Sequence, residues 1–269
     1  MTTILKHPFS NILDNPDGFY VEINESQQRA DIVLKRPPFN VIQMPQRDQL
    51  RAAFETLDAD DRVRIIVLRA EGEHFSSGGD IKGFLDATPE SVSKLAWNIA
   101  APTRCTKPVI AANHGYCFGV GFEISLACDF RIAAESTLYA LPEQKLGQIP
   151  GSGGSARLQK MVGITRTKDI VMRSRRIKGQ QAYEWGVATE CVPDSELASA
   201  VSKLVDELRA FSPLAQRTAK KMLNETEDCL LTTAIEVEGH CYSRLRNSDD
   251  FKEGVEAFHG KRQPNFVGY

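Results

Sequence analysis

The sequence lacks the patterns that define several large classes of protein. No apolar run approaches the roughly 20 residues that a transmembrane helix needs. The formal net charge is only −2, so no excess of either sign points to a nucleic acid or to a membrane surface. The first twenty residues carry neither a signal-peptide pattern nor an arginine-rich amphipathic pattern. These absences predict a cytoplasmic protein that binds neither a membrane nor a nucleic acid.

Disulfide and metal patterns are missing as well. No two of the six cysteines have C-x-x-C spacing, and no two of the five histidines have H-E-x-x-H spacing. A chain of 269 residues has enough material to bury a core without disulfide bonds. We therefore expect reduced, structural cysteines and no metal site.

Short apolar runs alternate with helical patterns through the first two-thirds of the chain. Five runs are typical of strands: 19–23, 30–34, 63–68, 108–112 and 130–133. Three segments have helical spacing: about 45–57, 89–104 and 120–128. Strands joined through helices of this length predict a largely parallel sheet in an α/β fold.

The last third of the chain changes character. Four helical patterns follow Pro193, separated by short polar breaks: 195–211, 213–223, 229–245 and 249–258. We therefore predict an α/β core over residues 1–200, followed by a helical region over residues 201–269.

Four segments combine glycine-rich turns with carboxylates or with the start of a helix. They are 74–81 (HFSSGGDI), 113–123 (NHGYCFGVGFE), 141–143 (LPE) and 146–154 (LGQIPGSGG). Each alone fits an ordinary turn between a strand and a helix. Glu123 and Glu143 alone would each fit an acidic residue in a first helical turn.

Taken together and in order, these segments resemble the crotonase superfamily of enoyl-CoA hydratases and isomerases. The shared patterns are S-G-G-D-I, G-x-G-F-E, P-E-x-x-x-G-x-x-P-G-x-G-G and, near the C-terminus, E-G-x-x-A-F. The resemblance extends from about Phe19 to Phe266. It implies a crotonase-like core in which repeated ββα turns form a spiral, with C-terminal helices that cover the site and mediate assembly. It also implies a homo-oligomer, a trimer or a dimer of trimers.

The resemblance also implies roles for individual residues. Glu123 and Glu143 match the catalytic pair that binds water and moves protons. The backbone N–H groups of Ser77 and Val120 match the oxyanion hole that holds the thioester oxygen of an acyl-CoA. The implied reaction is reversible addition of water across the 2,3 double bond of an enoyl-CoA. No metal or redox cofactor is then needed, because CoA is part of the substrate.

The loop at 36–42 and the turn at 77–81 are expected to contact the acyl-CoA, together with Val120. The residues expected to bind substrate or CoA are Phe39, Asn40, Val41, Ser77, Gly78, Gly79, Asp80, Ile81 and Val120. The Pro-Pro-x-Asn-Val form of the loop at 36–42 resembles hydratases that act on cyclic dienoyl-CoA thioesters of aromatic-ring degradation. Val120 replaces a usual glycine, so a positive φ at that position would be strained, and its side chain is expected to narrow the pocket.

Three alternatives differ from hydration in reaction or in ligand. An isomerase or a hydrolase would use the same fold and oxyanion hole. An RNA-binding crotonase-like protein would use the basic residues Arg166, Lys168, Arg173, Arg175, Arg176 and Lys178. Residues 151–156 (GSGGSA) fit a dinucleotide-binding pattern, but no strand precedes them and no acidic strand end follows.

Overall fold

The computed structural model describes residues 3–269, which form two sheets and twelve α-helices. The strands are β1 Phe19–Asn24, β2 Arg29–Leu34, β3 Ile65–Ala70, β4 Val109–Asn113, β5 Tyr116–Phe118, β6 Phe130–Ala134, β7 Leu138–Ala140, β8 Ile177–Lys178 and β9 Glu190–Val192. The helices are α1 Met44–Asp58, α2 Ile81–Leu85, α3 Pro89–Ser93, α4 Leu95–Ile99, α5 Ala101–Arg104, α6 Val120–Leu126, α7 Gly154–Met172, α8 Gly179–Glu184, α9 Leu197–Arg209, α10 Pro213–Thr226, α11 Leu231–Leu245 and α12 Asp249–Gly260. Within residues 3–269 no helix is both long and apolar enough to cross a bilayer.

The larger sheet has six strands in the order β1-β2-β3-β4-β6-β9. β1 and β2 form an antiparallel hairpin, and every later pair is parallel. Ile65, Ile66, Val67 and Leu68 of β3 are all buried, because helices cover both faces of a parallel sheet. The predicted strands of this sheet and the α/β class are confirmed.

The smaller sheet, β5-β7-β8, escaped prediction because its strands have only two or three residues. β5 pairs with β7 in parallel, with Phe118 opposite Ala140. Parallel strands end at the same edge of a sheet. The segments that follow β5 and β7 therefore begin side by side.

Two helical predictions need correction. The helix predicted over 89–104 is three short helices, α3, α4 and α5, with Pro102 at the start of α5. A proline lacks the N–H of a helix interior, so it is tolerated in a first turn. The glycine-rich turn at 151–154 leads into α7, as expected, but α7 is interrupted at Gly163, where φ is +79°.

The helical C-terminal region is confirmed, and α9 attaches it to the sheet. Val201 and Val205 of α9 pack in a small core against Val67, Ile110 and Ile132 of the large sheet. The predicted division after residue 200 falls inside α9, so this helix belongs with the core that it covers. α10 and α11 pack on each other and have no fully buried residues.

A buried carboxylate in α12 holds the end of the chain. Asp250, 2% exposed, accepts hydrogen bonds from the Ser212 hydroxyl at 2.5 Å and from the N–H groups of Val267 and Gly268 at 2.8 and 3.0 Å. The Asp250 N–H donates in turn to the carbonyl of Tyr269 at 3.1 Å. One side chain therefore joins the start of α10, the start of α12 and residues 267–269.

Replacing Asp250 by Ala should lower the free energy of unfolding by roughly 3 kcal/mol, because it removes the acceptor of three donors, two of them buried. Asp249→Ala is the matched control, since Asp249 precedes it in the same helix turn and is exposed. Chemical denaturation monitored by circular dichroism measures both variants. Equal stability of the two variants would contradict the role given to Asp250.

Candidate active site

The turn that follows β3 is bound to the loop that precedes α1. The N–H of Ile42 donates to the carbonyl of Gly78 at 2.9 Å, and Ile42 forms an isolated parallel bridge with Gly79. Gly78 has a φ of +112°, a conformation that side chains disfavour. The two segments predicted to contact acyl-CoA therefore form one structural unit.

The free amide of this turn is not the one that the sequence predicted. The N–H of Ser77 donates to the carbonyl of Phe39 at 2.8 Å, so it is not free to hold a thioester oxygen. Within residues 3–269, the N–H of Gly79 makes no hydrogen bond to a protein acceptor, and neither does that of Val120 at the start of α6. The amides of Gly79 and Val120 are therefore both unused, and the prediction for Ser77 is wrong on this point.

These two free amides lie on either side of a close contact between two glycines. A Cβ atom added at Gly119 would lie 3.6 Å from the Cα of Gly78, and one added at Gly78 would lie 3.3 Å from the carbonyl oxygen of Phe118. The positive φ of this turn, +49°, falls on Gly119. Val120 is therefore accommodated in the first turn of α6 without the strain that a positive φ would impose.

Glu123 is buried and held by the main chain. Its Oε1 accepts hydrogen bonds from the N–H of Ser152 at 2.7 Å and of Gly154 at 3.1 Å. Both donors belong to the glycine-rich turn before α7, so the segments 113–123 and 146–154 meet at this carboxylate. Two main-chain donors therefore fix the orientation of the Glu123 carboxylate.

Glu143 lies in a short 3-10 helix, Pro142–Leu146, directly after β7. Its Oε1 lies 3.1 Å from the position of a Cβ atom added at Gly119, and its Oε2 is buried with no hydrogen-bond partner. Burial raises the pKa of Glu143 to about 7, a backbone N–H bond lowers it, and the charge of Glu123 adds to the rise. The two predicted glutamates are therefore close enough to interact, in different environments.

Asn40 positions its loop and has no group left for a ligand. Its side chain accepts from the N–H of Arg36 at 2.6 Å and donates to the carbonyls of Glu71 and His74 at 2.8 and 2.7 Å. Its own carbonyl accepts from the Ser76 hydroxyl at 2.7 Å. Asn40 therefore supports the site by joining its own loop to residues 71–76, which differs from the predicted substrate contact.

The other predicted contact residues surround the same turn. Phe39 and Ile81 are exposed, and Val41 is half-buried. The Asp80 side chain accepts from the N–H of Lys82 at 3.2 Å and caps the start of α2. Asp80 therefore shapes the backbone of the turn.

A column of stacked rings, which the sequence did not reveal, runs beside the site. The ring of Phe39 stacks on His74, His74 on Tyr116, and Tyr116 on Phe118, with centroid separations of 5.6, 4.0 and 4.7 Å. The guanidinium of Arg176 lies 5.0 Å from the Phe118 ring. The column connects the loop before α1 with the turn after β3 and with β5.

The basic segment at 166–178 is divided among several contacts. Arg173 and Arg175 both pair with the carboxylate of Asp169. Arg166 and Arg175 lie over the ring of Trp185. These contacts involve three of the six basic side chains on which the RNA-binding alternative rested.

A family model described as enoyl-CoA hydratase/isomerase matches residues 24–268. The chain belongs to this family. It is 31% identical over 264 residues to the probable mitochondrial enoyl-CoA hydratase 2 of Arabidopsis thaliana, which covers 96% of this chain and 85% of the relative. It is 34% identical over 251 residues to the carnitinyl-CoA dehydratase of Salmonella typhimurium, and this match covers 88% of this chain and 94% of the relative.

Solved structures agree with the family membership. The structure resembles the enoyl-CoA hydratase of Bacillus anthracis with a TM-score of 0.89 and 30% identity, over 94% of this chain and 100% of the other. It resembles an enoyl-CoA hydratase subunit of Geobacillus kaustophilus with a TM-score of 0.88 and 29% identity, over 94% of this chain and 98% of the other. The predicted crotonase fold of the enoyl-CoA hydratase/isomerase family is confirmed.

The raised pKa of Glu143 should make stability fall with rising pH. Between about pH 5 and pH 7 the folded protein keeps a proton on Glu143 that an unfolded chain has already released, so ionisation opposes folding. Glu143→Gln cannot ionise. Its free energy of unfolding, relative to that of the wild type, should therefore rise by roughly 1–2 kcal/mol from pH 5 to pH 8. Urea denaturation at both pH values measures the gain. Glu190→Gln, an exposed change on β9, is the control, and a gain equal to that of the control would contradict the assignment.

Proposed function

We propose that the protein is an enoyl-CoA hydratase, which adds water reversibly across the 2,3 double bond of an enoyl-CoA thioester. The observation that carries this proposal is the approach of the buried Glu123 carboxyl group to the half-buried one of Glu143, beside two unused backbone amides. Membership of the enoyl-CoA hydratase/isomerase family supports it.

In this proposal the N–H groups of Gly79 and Val120 hold the thioester oxygen. Addition of water at the β-carbon develops negative charge on that oxygen as an enolate forms. Fixed backbone donors stabilise such charge without reorganising, and losing one donor typically costs on the order of 10²–10³ in rate. Because the donors are main-chain groups, Val120 serves as well as a glycine.

The two carboxyl groups then divide the proton transfers. The Glu123 carboxylate takes a proton from water as the water oxygen bonds to the β-carbon. The protonated form of Glu143 gives its proton to the α-carbon, and exchange of a proton through a further water restores both groups. A pKa of about 7 keeps a substantial fraction of Glu143 protonated near neutrality. The cycle moves only water and protons, so the proposal includes no metal or redox cofactor.

The acyl group is the finer part of the proposal. The Pro-Pro-x-Asn-Val loop at 37–41 is the single feature that favours a cyclic dienoyl-CoA, and its Asn40 is occupied in holding the loop. The relatives named above are a hydratase and a dehydratase, which run one reaction in opposite directions. The choice between a linear and a cyclic acyl group is therefore made by comparing substrates.

We also propose that the protein assembles as a trimer or a dimer of trimers through its C-terminal helices. The supporting observation is a set of exposed large apolar side chains in and beside α10 and α11. These are Leu223, Leu230, Leu231, Ile235 and Tyr242. Apolar side chains gathered on one surface are typical of a buried subunit contact.

Glu123→Gln and Glu143→Gln should each lower kcat for hydration by roughly 10²–10⁴, because each removes one proton-transfer group. Mass spectrometry after incubation with linear and cyclic enoyl-CoA thioesters measures the gain of one water with the thioester intact. Glu190→Gln, which removes a carboxylate outside the site, is the control and should leave hydration unchanged. Circular dichroism checks that each variant is folded. Full hydration by either site variant would contradict the mechanism. Released CoA would favour the hydrolase alternative, and a product of unchanged mass would favour the isomerase.

Val120→Gly tests whether this residue contributes only its N–H. The variant should keep kcat within about tenfold while kcat/KM shifts toward bulkier acyl groups, since the backbone donor remains and the side chain is removed. Steady-state kinetics with a series of acyl groups measures the shift. A uniform collapse of rate with every substrate would show that the valine side chain itself is required.

A further inference from the structure

Arg47 is a buried arginine without a counter-ion beside the proposed site. It lies in α1 and is 2% exposed. Among residues 3–269 its guanidinium forms no salt bridge and no hydrogen bond, and its Nε is buried without a partner. A buried charge without a partner is costly, and such groups concentrate where a ligand completes the site.

The guanidinium of Arg47 lies against the turn that carries the Gly79 amide. Its Nη2 is 2.8 Å from the position of a Cβ atom added at Gly79. The ring of Phe84, which is 39% exposed, lies 5.0 Å from the Arg47 Cζ. The guanidinium therefore has an aromatic ring and a glycine as neighbours where an ion pair would be expected.

The only charge found to act on Arg47 within residues 3–269 is that of Glu123, and the two side chains form no ion pair. Burial lowers the pKa of Arg47 to about 10, and the charge of Glu123 opposes that fall. Arg47 is therefore positively charged at neutral pH. Glu123 forms no salt bridge with Arg47, and the hydrogen bonds that its Oε1 accepts come from the N–H groups of Ser152 and Gly154.

We infer that Arg47 is a specificity-determining residue that binds a carboxylate on the acyl group of the substrate. The inference rests on the proposed enoyl-CoA hydratase function. A substrate whose thioester oxygen meets the Gly79 N–H has its acyl group beside this guanidinium. A carboxylate on that acyl group supplies the missing counter-ion and can accept two parallel N–H bonds from one arginine. An acyl group that ends in a quaternary ammonium, as in carnitine, is repelled.

The test compares three kinds of 2-enoyl-CoA thioester that differ only at the far end of the acyl chain. One ends in a methyl group, one in a carboxylate and one in a trimethylammonium group, each with five, six and seven carbons in the chain. The wild type should have a kcat/KM at least tenfold higher for the carboxylate form than for the methyl form at one or more lengths. The trimethylammonium form should be the poorest substrate.

Arg47→Met removes the charge and keeps a long side chain, and replacing a buried charge by an apolar group of similar size is often tolerated. This variant should lose roughly 10–100-fold in kcat/KM for the carboxylate form and stay within about threefold for the methyl form. Arg47→Lys should keep part of the preference. Arg51→Met is the matched control, because Arg51 lies one turn further along α1 and pairs with Glu55.

Two results would overturn the inference. The first is a wild type without preference for the carboxylate at any chain length. The second is an equal loss for the methyl and carboxylate forms in Arg47→Met, which would show that Arg47 acts on Glu123 or on the fold.

Binding separates this inference from the proposed reaction. Titration calorimetry with saturated acyl-CoA thioesters, with and without a terminal carboxylate, requires no turnover. Suppose that the wild type binds the carboxylate form more tightly than Arg47→Met does, and that no thioester is hydrated. This result would refute the proposed reaction and support the role of Arg47. Hydration without any such binding preference would refute the role of Arg47 alone.

Discussion

The parallel pairing of β5 with β7 is the contact on which the candidate site depends. The N–H of Gly119 donates to the carbonyl of Ala140 at 3.0 Å, just beyond the last paired residues of these strands. Because both strands end at the same edge, the helix that carries Glu123 and the turn that carries Glu143 begin next to each other. A shift in this register would separate the two carboxyl groups and would also move the Val120 amide.

The two glutamates differ in the hydrogen-bond donors that the main chain offers them. Glu123 faces a turn that directs two N–H groups at one of its oxygens. Glu143 has a buried Oε2 with no donor, and burial raises its pKa to about 7. Residues of one type thus have different hydrogen-bond partners because two turns differ in shape. In the proposed reaction one of them acts as the base and the other as the acid.

The sequence predicted those parts of the molecule that have a long-range pattern. Alternating or continuous apolar runs identified five of the six strands of the large sheet, all but β9, and helical spacing identified α9 to α12. The small sheet was missed because strands of two or three residues have no periodicity to detect. The free amide was misplaced from Gly79 to Ser77, because the acceptor that occupies Ser77 is the carbonyl of Phe39, in a distant loop. The isolation of Arg47 likewise depends on packing that no local pattern encodes.

The groups that hold Glu123, and those proposed to hold the thioester oxygen, are main-chain amides. Their positions follow from the path of the chain, so they survive most side-chain replacements that leave that path intact. Side chains such as Arg47 and Val120 are then free to vary without loss of the groups proposed to stabilise the enolate. A descendant of this protein could therefore acquire a new acyl substrate through one or two substitutions while keeping its chemistry unchanged.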